Sequence, residues 1–202
     1  MSIVPIPEQI RSGIVDGFKM AGKPWFQANP WSGKGKINTP WTKLIKEKIL
    51  RGMAQQYGFK ERLTDKQNRT TEPLLDVHWL YSNNLASPTP VGIESEMSNG
   101  NVFEEEIPKL INSQIDLGVL IQGISSTPNF KLLADKFFTM VKDHHRLSEQ
   151  YRPGFVFPGK KYACIALHVD GRGSRDLVVS AADISHTREG SSVFEDVRIP
   201  RY

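Results

Sequence analysis

Glu72-Pro73-Leu74-Leu75-Asp76-Val77-His78-Trp79-Leu80 is followed by Val91-Gly92-Ile93-Glu94-Ser95-Glu96, and then by Ile115-Asp116-Leu117-Gly118-Val119-Leu120-Ile121. All three are apolar runs of strand length. The first two carry the acids Asp76, Glu94 and Glu96. Residues two apart on a strand share a face about 6–7 Å from one another, so Glu94 and Glu96 are expected to point the same way. Pairing the Asp76 run beside them brings three carboxylates together. Most Glu-x-Glu pairs are solvated faces, but Asp76 stands inside an apolar run. A charge there is costly to bury unless it is paired or bound to metal. Grouped carboxylates repel one another, so the cluster calls for a proton or a cation, and a hard divalent ion is the simplest resident.

The length of 202 residues, 39% hydrophobic and 24% charged, suits one soluble α/β domain spanning residues 1–202. No apolar run approaches the roughly 18 residues needed to span a bilayer, and the N-terminus lacks a signal-peptide pattern, so a cytoplasmic protein without membrane contact is expected. The single cysteine, Cys164, lies in an apolar run and reads as a buried, inert thiol rather than a nucleophile. A net charge of +4 and a pI of about 9.1 are compatible with a polyanion partner without requiring one.

Upstream, Ile10, Ile14 and Phe18 recur every four residues in an amphipathic helix over 7–20. From Gly22 to Asn38 periodicity disappears, and Trp25, Phe26 and Trp31 are either core plugs, the favoured reading, or base-stacking surfaces. Gly33-Lys34-Gly35-Lys36 fails the spacing of a phosphate-binding loop and follows no strand, which excludes nucleotide binding of that type. Thr39-Pro40 opens a second helix with Trp41, Leu44, Ile45, Ile49 and Met53 on one face and Lys43, Lys46, Lys48 and Arg51 on the other. The basic face is either solvated or in contact with phosphate. Gly58 suits the helix C-cap, and 60–71 reads as polar and exposed.

Downstream, Val102, Phe103, Ile107, Leu110 and Ile111 keep helical spacing, so Pro108 requires either a start near Glu106 or a kink. Both place Lys109 near the helix start, facing the acids. Thr127-Pro128 opens a further helix, burying Phe130, Leu133, Ala134, Phe137, Phe138 and Val141 and ending at Asp143-His144-His145, where the helix dipole favours the histidines. Tyr162 to Val169 reads as a central strand. Arg172 and Arg175 lie in a flexible loop suited to reading base edges or simply exposed. Leu177 to Val179 is one short strand before a polar tail that would order on a partner. This order of elements predicts a mixed central sheet flanked by helices.

Asp76, a gap, and then Glu94-Ser95-Glu96 resemble the core of the PD-(D/E)xK nuclease superfamily, in the variant with glutamate in place of the usual lysine, as in BamHI-like type II restriction endonucleases. The likeness covers about residues 24–170. Pro24-Trp25-Phe26 through Ile37-Asn38, the basic helix from Trp41, Gly100-Asn101, and the stretch with Lys109 and Leu110 before Ile115 are similar in order and placement. The resemblance implies a restriction-endonuclease-like fold, Mg²⁺ as cofactor, double-stranded DNA as substrate, and a homodimer cutting a short palindrome. It further implies that Asp76 bridges the ions and that Glu94 and the Ser95 carbonyl bind one of them. Glu96 then stands where the lysine would be, orienting or deprotonating the attacking water. Lys109 is the candidate to supply the missing lysine from its helix, and Glu61 and Glu72 compete for a further acidic position. A repair or recombination nuclease of the same fold, or a basic nucleic-acid binder without catalysis, are the alternative expectations.

Overall fold

The computed structural model describes residues 3–31, 39–63, 75–82, 87–97, 102–124, 127–151, 159–169, 176–185 and 192–201. Eight strands among them form one mixed sheet. These are β1 (Lys60–Leu63), β2 (Val77–Leu80), β3 (Val91–Glu96), β4 (Leu117–Gly123), β5 (Lys161–Val169), β6 (Asp176–Ile184), β7 (Ser192–Val193) and β8 (Val197–Pro200). They lie in the order β1-β2-β3-β4-β5-β6-β7, with β8 also on β6. The pairs β3–β4 and β4–β5 are parallel and all the others antiparallel. The expected mixed sheet flanked by helices is the architecture observed.

Helix α1 (Pro7–Ala28) buries Ile10, Ile14 and Phe18 at the expected spacing. It does not stop at residue 20: the chain kinks at Gly22, whose φ of 71° suits a residue without Cβ, and resumes through Pro24 to bury Phe26. Phe18, Trp25, Phe26 and Trp31 all surround the buried Trp41, with ring centroids 4.7–5.7 Å from it, so these aromatics are core, as expected. The second helical stretch is α2 (Thr39–Lys43), a π-helical segment (Leu44–Leu50) and α3 (Arg51–Gln56). It closes as expected at Gly58 (φ 77°), where Gly58 N–H donates to Gln55 and Phe59 N–H to Ala54. Together with α1 it covers one face of the sheet, over Val77, Trp79, Ile93, Val119 and Ile165. On the other face, α4 (Glu106–Asn112) and α5 (Thr127–Tyr151) pack with Leu120, Tyr162 and Cys164. Burial pushes the Cys164 thiol well up, which fits an inert core residue.

Several expectations are corrected. Residues 60–63 form a strand pairing β2, with Lys60 and Arg62 exposed as expected but Glu61 and Leu63 half-buried. Asp76 sits at a bend just before β2 rather than inside it. Of the two alternatives for Pro108 the first holds: helix α4 starts at Glu106, so Pro108 lies in its first turn, where its missing N–H costs little. Helix α5 runs on to Tyr151 because nothing after His145 breaks it. His144 and His145 are thus interior residues, and the helix-end account of them fails. The largest correction is at the C-terminus: β6 is nine residues long and flanked by β5, β7 and β8. The supposed polar tail therefore completes the sheet. Ser180, which follows the expected short strand, is fully buried, with its hydroxyl donating to Asp196 at 2.6 Å. Arg11 of α1 fastens the same region by donating to the Glu195 carbonyl at 2.7 Å and lying over the Phe194 ring. Glu72, Leu74, Gly33 to Lys36, Gly100-Asn101, Arg172 and Arg175 lie outside the described residues.

Candidate active site

Strand β3 is apolar through Val91 and Ile93 and turns polar at its C-terminal end, where Glu94, Ser95 and Glu96 follow one another. Its neighbour β4 runs parallel, and ligand sites of open α/β sheets lie at such strand ends. Val77 pairs with Ile93 in the antiparallel β2–β3 ladder, so one step further the chain brings Asp76 beside Glu94 and Ser95. Asp76 does not extend the ladder. Its Oδ2 accepts the backbone N–H of Ser95 at 3.0 Å, which holds the carboxylate at the sheet edge. Asp76 is close enough to Glu94 for its charge to raise the pKa of Glu94.

Glu94 is the most buried acid here, 2% exposed. Burial, a hydrogen bond with Glu106 and the charges of Asp76 and Glu106 push its pKa up to about 10, against the opposing pull of Lys109. Its Oε1 has no hydrogen-bond partner. Lys109 reaches in from the first turn of α4, with Nζ 3.8 Å from Glu94 Oε1 and 2.9 Å from Glu106 Oε2. Burial works against the Lys109 charge, but the hydrogen bond to Glu106 and the charges of Glu94, Glu106 and Asp76 outweigh it, leaving its pKa above the ordinary value. The surroundings favour the neutral form of Glu94, and at 3.8 Å its contact with Lys109 is the looser of the two that the lysine makes. The partner that holds the lysine is Glu106.

From the opposite face, Lys46 of the π-helical segment places Nζ 2.7 Å from Asp76 Oδ2. Sequence periodicity had put Lys46 on an outer basic face with Lys43, Lys48 and Arg51. The structure turns Lys46 inward, while Lys43 and Lys48 remain exposed and Arg51 is taken up by Glu61 at 3.0 Å. A π-helical turn is wider than an α-turn and shifts which side chains face inward, which no 3.6-residue pattern anticipates.

Asp76, Glu94 and Lys109 are thus brought together as expected. Glu96, half-buried at the end of β3, shares the Glu94 face by strand alternation, and its partner across the ladder is Gln122, whose Oε1 is buried without a hydrogen-bond partner. Ser95 contributes its backbone N–H to Asp76, and its hydroxyl faces away from Glu94. Glu61 does not join the cluster: it pairs across from Trp79, three positions down the ladder from the bend at Asp76, and is bound to Arg51. Glu106 was not expected in the cluster, and Lys46 was expected only on a solvated or phosphate-contacting face. Glu106 falls in a Glu104-Glu105-Glu106 run where only the helix start selects one acid, and Lys46 depends on the π-turn.

The donor chemistry suits a hard cation, since the acids offer oxygen only and the buried Glu94 Oε1 lacks a partner. Among the described residues, no group of three or more His, Cys, Asp or Glu stands in ligating arrangement. The two lysines hold the places that a cation would contest. Compared with family models, curated proteins and solved structures, the chain has no match in any of the three. No helix of the described residues is long and apolar enough to cross a membrane.

Proposed function

We propose that this protein is a Mg²⁺-dependent deoxyribonuclease of restriction-endonuclease-like fold. By resemblance it would be a homodimeric, cytoplasmic type II restriction endonuclease cutting a short palindrome in double-stranded DNA. The observation that carries this reading is the meeting of Asp76 and the buried Glu94 at the end of β3, with Lys109 delivered beside them by α4.

Phosphodiester hydrolysis is very slow in water, and enzymes supply accelerations of roughly 10⁶–10¹⁷-fold, much of it electrostatic. Asp76 and Glu94 would hold the ion, with Glu96 and the Ser95 carbonyl completing the set. Bound there, Mg²⁺ supplies a bound water of lowered pKa and neutralises charge on the reacting phosphate. Glu96, on the same face as Glu94 and at the open end of the strand, orients the attacking water and accepts its proton. Lys109 places a positive charge beside the reacting group, and Glu106 fixes that ammonium in position. Two-fold symmetry of a dimer matches a two-fold DNA site, with one strand cut by each subunit.

The test is incubation with plasmid DNA and Mg²⁺, followed by sequencing of the ends. Discrete fragments with a common palindromic end are expected, and Glu94→Ala should abolish cutting while DNA binding survives. A smear of random ends points to a non-specific nuclease of the same fold. The ion pair of Lys46 with Asp76 favours a second reading, a basic DNA binder without catalysis, because it neutralises one acid without metal. That reading predicts a DNA shift without divalent ion and no cleavage at all. Full activity in Glu94→Ala would refute the assignment of the site.

A further inference from the structure

Asp76 Oδ2 is engaged twice, by the Ser95 N–H at 3.0 Å and by Lys46 Nζ at 2.7 Å. The two lysines reach the acids from opposite faces of the sheet: Lys109 from α4, and Lys46 from the π-helical segment. Lys46 sits between the buried Ile45 and the exposed Glu47, with its side chain 17% exposed and that of Asp76 25%. The pair is therefore partly open to solvent, unlike Glu94 next to it. The Lys46 amine faces the Asp76 carboxyl at 2.7 Å and the Lys109 amine faces that of Glu106 at 2.9 Å, so each of these acids already has a basic partner.

A hard divalent ion approaches a carboxylate oxygen to about 2.0–2.1 Å. An ammonium 2.7 Å from the same oxygen would then lie within a few ångströms of two positive charges, where repulsion is strong. With the Ser95 N–H also on it, Asp76 Oδ2 cannot serve both. We infer that Lys46 is an internal stand-in for the cation on Asp76, displaced when a divalent ion binds and released on its flexible stem to contact the scissile phosphate. This rests on the reading of the site as a metal-dependent nuclease. A lysine has the right form for such a role: a compact ammonium on four rotatable carbons, able to leave one anion for another nearby. With the ion absent, the site keeps its acids neutralised; with ion and DNA present, the freed charge is delivered where negative charge accumulates.

The test is calorimetric titration of Mn²⁺ into wild type, Lys46→Met and Lys46→Gln without DNA, paired with cleavage rates in Mg²⁺. Lys46→Gln keeps a polar group on Asp76 in case the methionine variant folds poorly. Both variants are expected to bind Mn²⁺ up to about fivefold more tightly than wild type, the scale set by removing a partly exposed ion pair. Both are expected to cut DNA more slowly in saturating Mg²⁺, because the phosphate loses a contact. Tighter ion binding combined with slower cutting is a signature that a merely structural ion pair would not produce. Unchanged or weaker Mn²⁺ binding in both variants, beside a wild type that binds, overturns the role of Lys46 and leaves the metal site standing. Absence of Mn²⁺ binding in all three proteins overturns this inference together with the metal-dependent reading.

Discussion

Glu94 concentrates the chemistry of the site in one carboxyl group. Its surroundings favour the neutral form, so between its ordinary value near 4.5 and the folded value of about 10 the native state holds a proton that the unfolded chain releases. A raised acid pKa stabilises the fold fully below the unfolded value, and that contribution is lost as pH rises through the folded one. Glu94→Gln keeps the shape and removes the titration. Its stability relative to wild type is therefore expected to rise from about equal near pH 4 to a gain of up to about 3 kcal/mol at pH 7, read from thermal unfolding across that range. A difference that does not change with pH would show that Glu94 is charged in the fold. Glu94 and Asp76 were legible in the sequence because an acid beside apolar strand residues needs a reason. Glu106 was not, because its partner is fixed by three-dimensional packing and not by spacing along the chain.

The elements that aim these side chains are short. Helix α4 has seven residues, too few to hold its place through its own hydrogen bonds. Its C-terminal carbonyls are capped by Lys160, whose buried ammonium donates to Leu110 at 2.8 Å, Ile111 at 2.8 Å and Ser113 at 2.6 Å. Burial pushes the Lys160 pKa down to about 8, so all three N–H groups are still present at neutral pH. Lys160→Met should cost about 2–4 kcal/mol in urea unfolding by leaving those carbonyls unmet, and should move Lys109 away from Glu94. A loss below about half a kcal/mol, the ordinary range of a surface substitution, would mean that apolar packing alone places α4. The start of α4 could be read from Pro108. Its cap could not, since Lys160 is 47 residues or more from the groups it serves. Of β6 only residues 177–179 were legible, because the small residues after them suit a strand enclosed on both sides but carry little hydrophobic signal.

At the scale of the molecule, the two cores lie on opposite faces of one mixed sheet, and the acids sit where the parallel strand β3 ends between them. Alternation and helical spacing were enough to anticipate the α/β architecture, the helices α1, α4 and α5, and strands β3, β4 and β5. They did not anticipate the edge strand β1, the extent of β6 beyond residues 177–179, or β7 and β8, all of which pair with near neighbours in the chain but are short or rich in small and polar residues. The placement of the site between two helical layers explains how lysines from both can meet the same pair of acids. The central claim is that Asp76 and Glu94 jointly hold a divalent ion, and anomalous diffraction from crystals soaked in Mn²⁺ tests it most directly. The account predicts one strong peak about 2.1 Å from an oxygen of each carboxylate, with Lys46 drawn off Asp76. A map with no peak between these two residues, at a Mn²⁺ concentration that fills other sites, would contradict it.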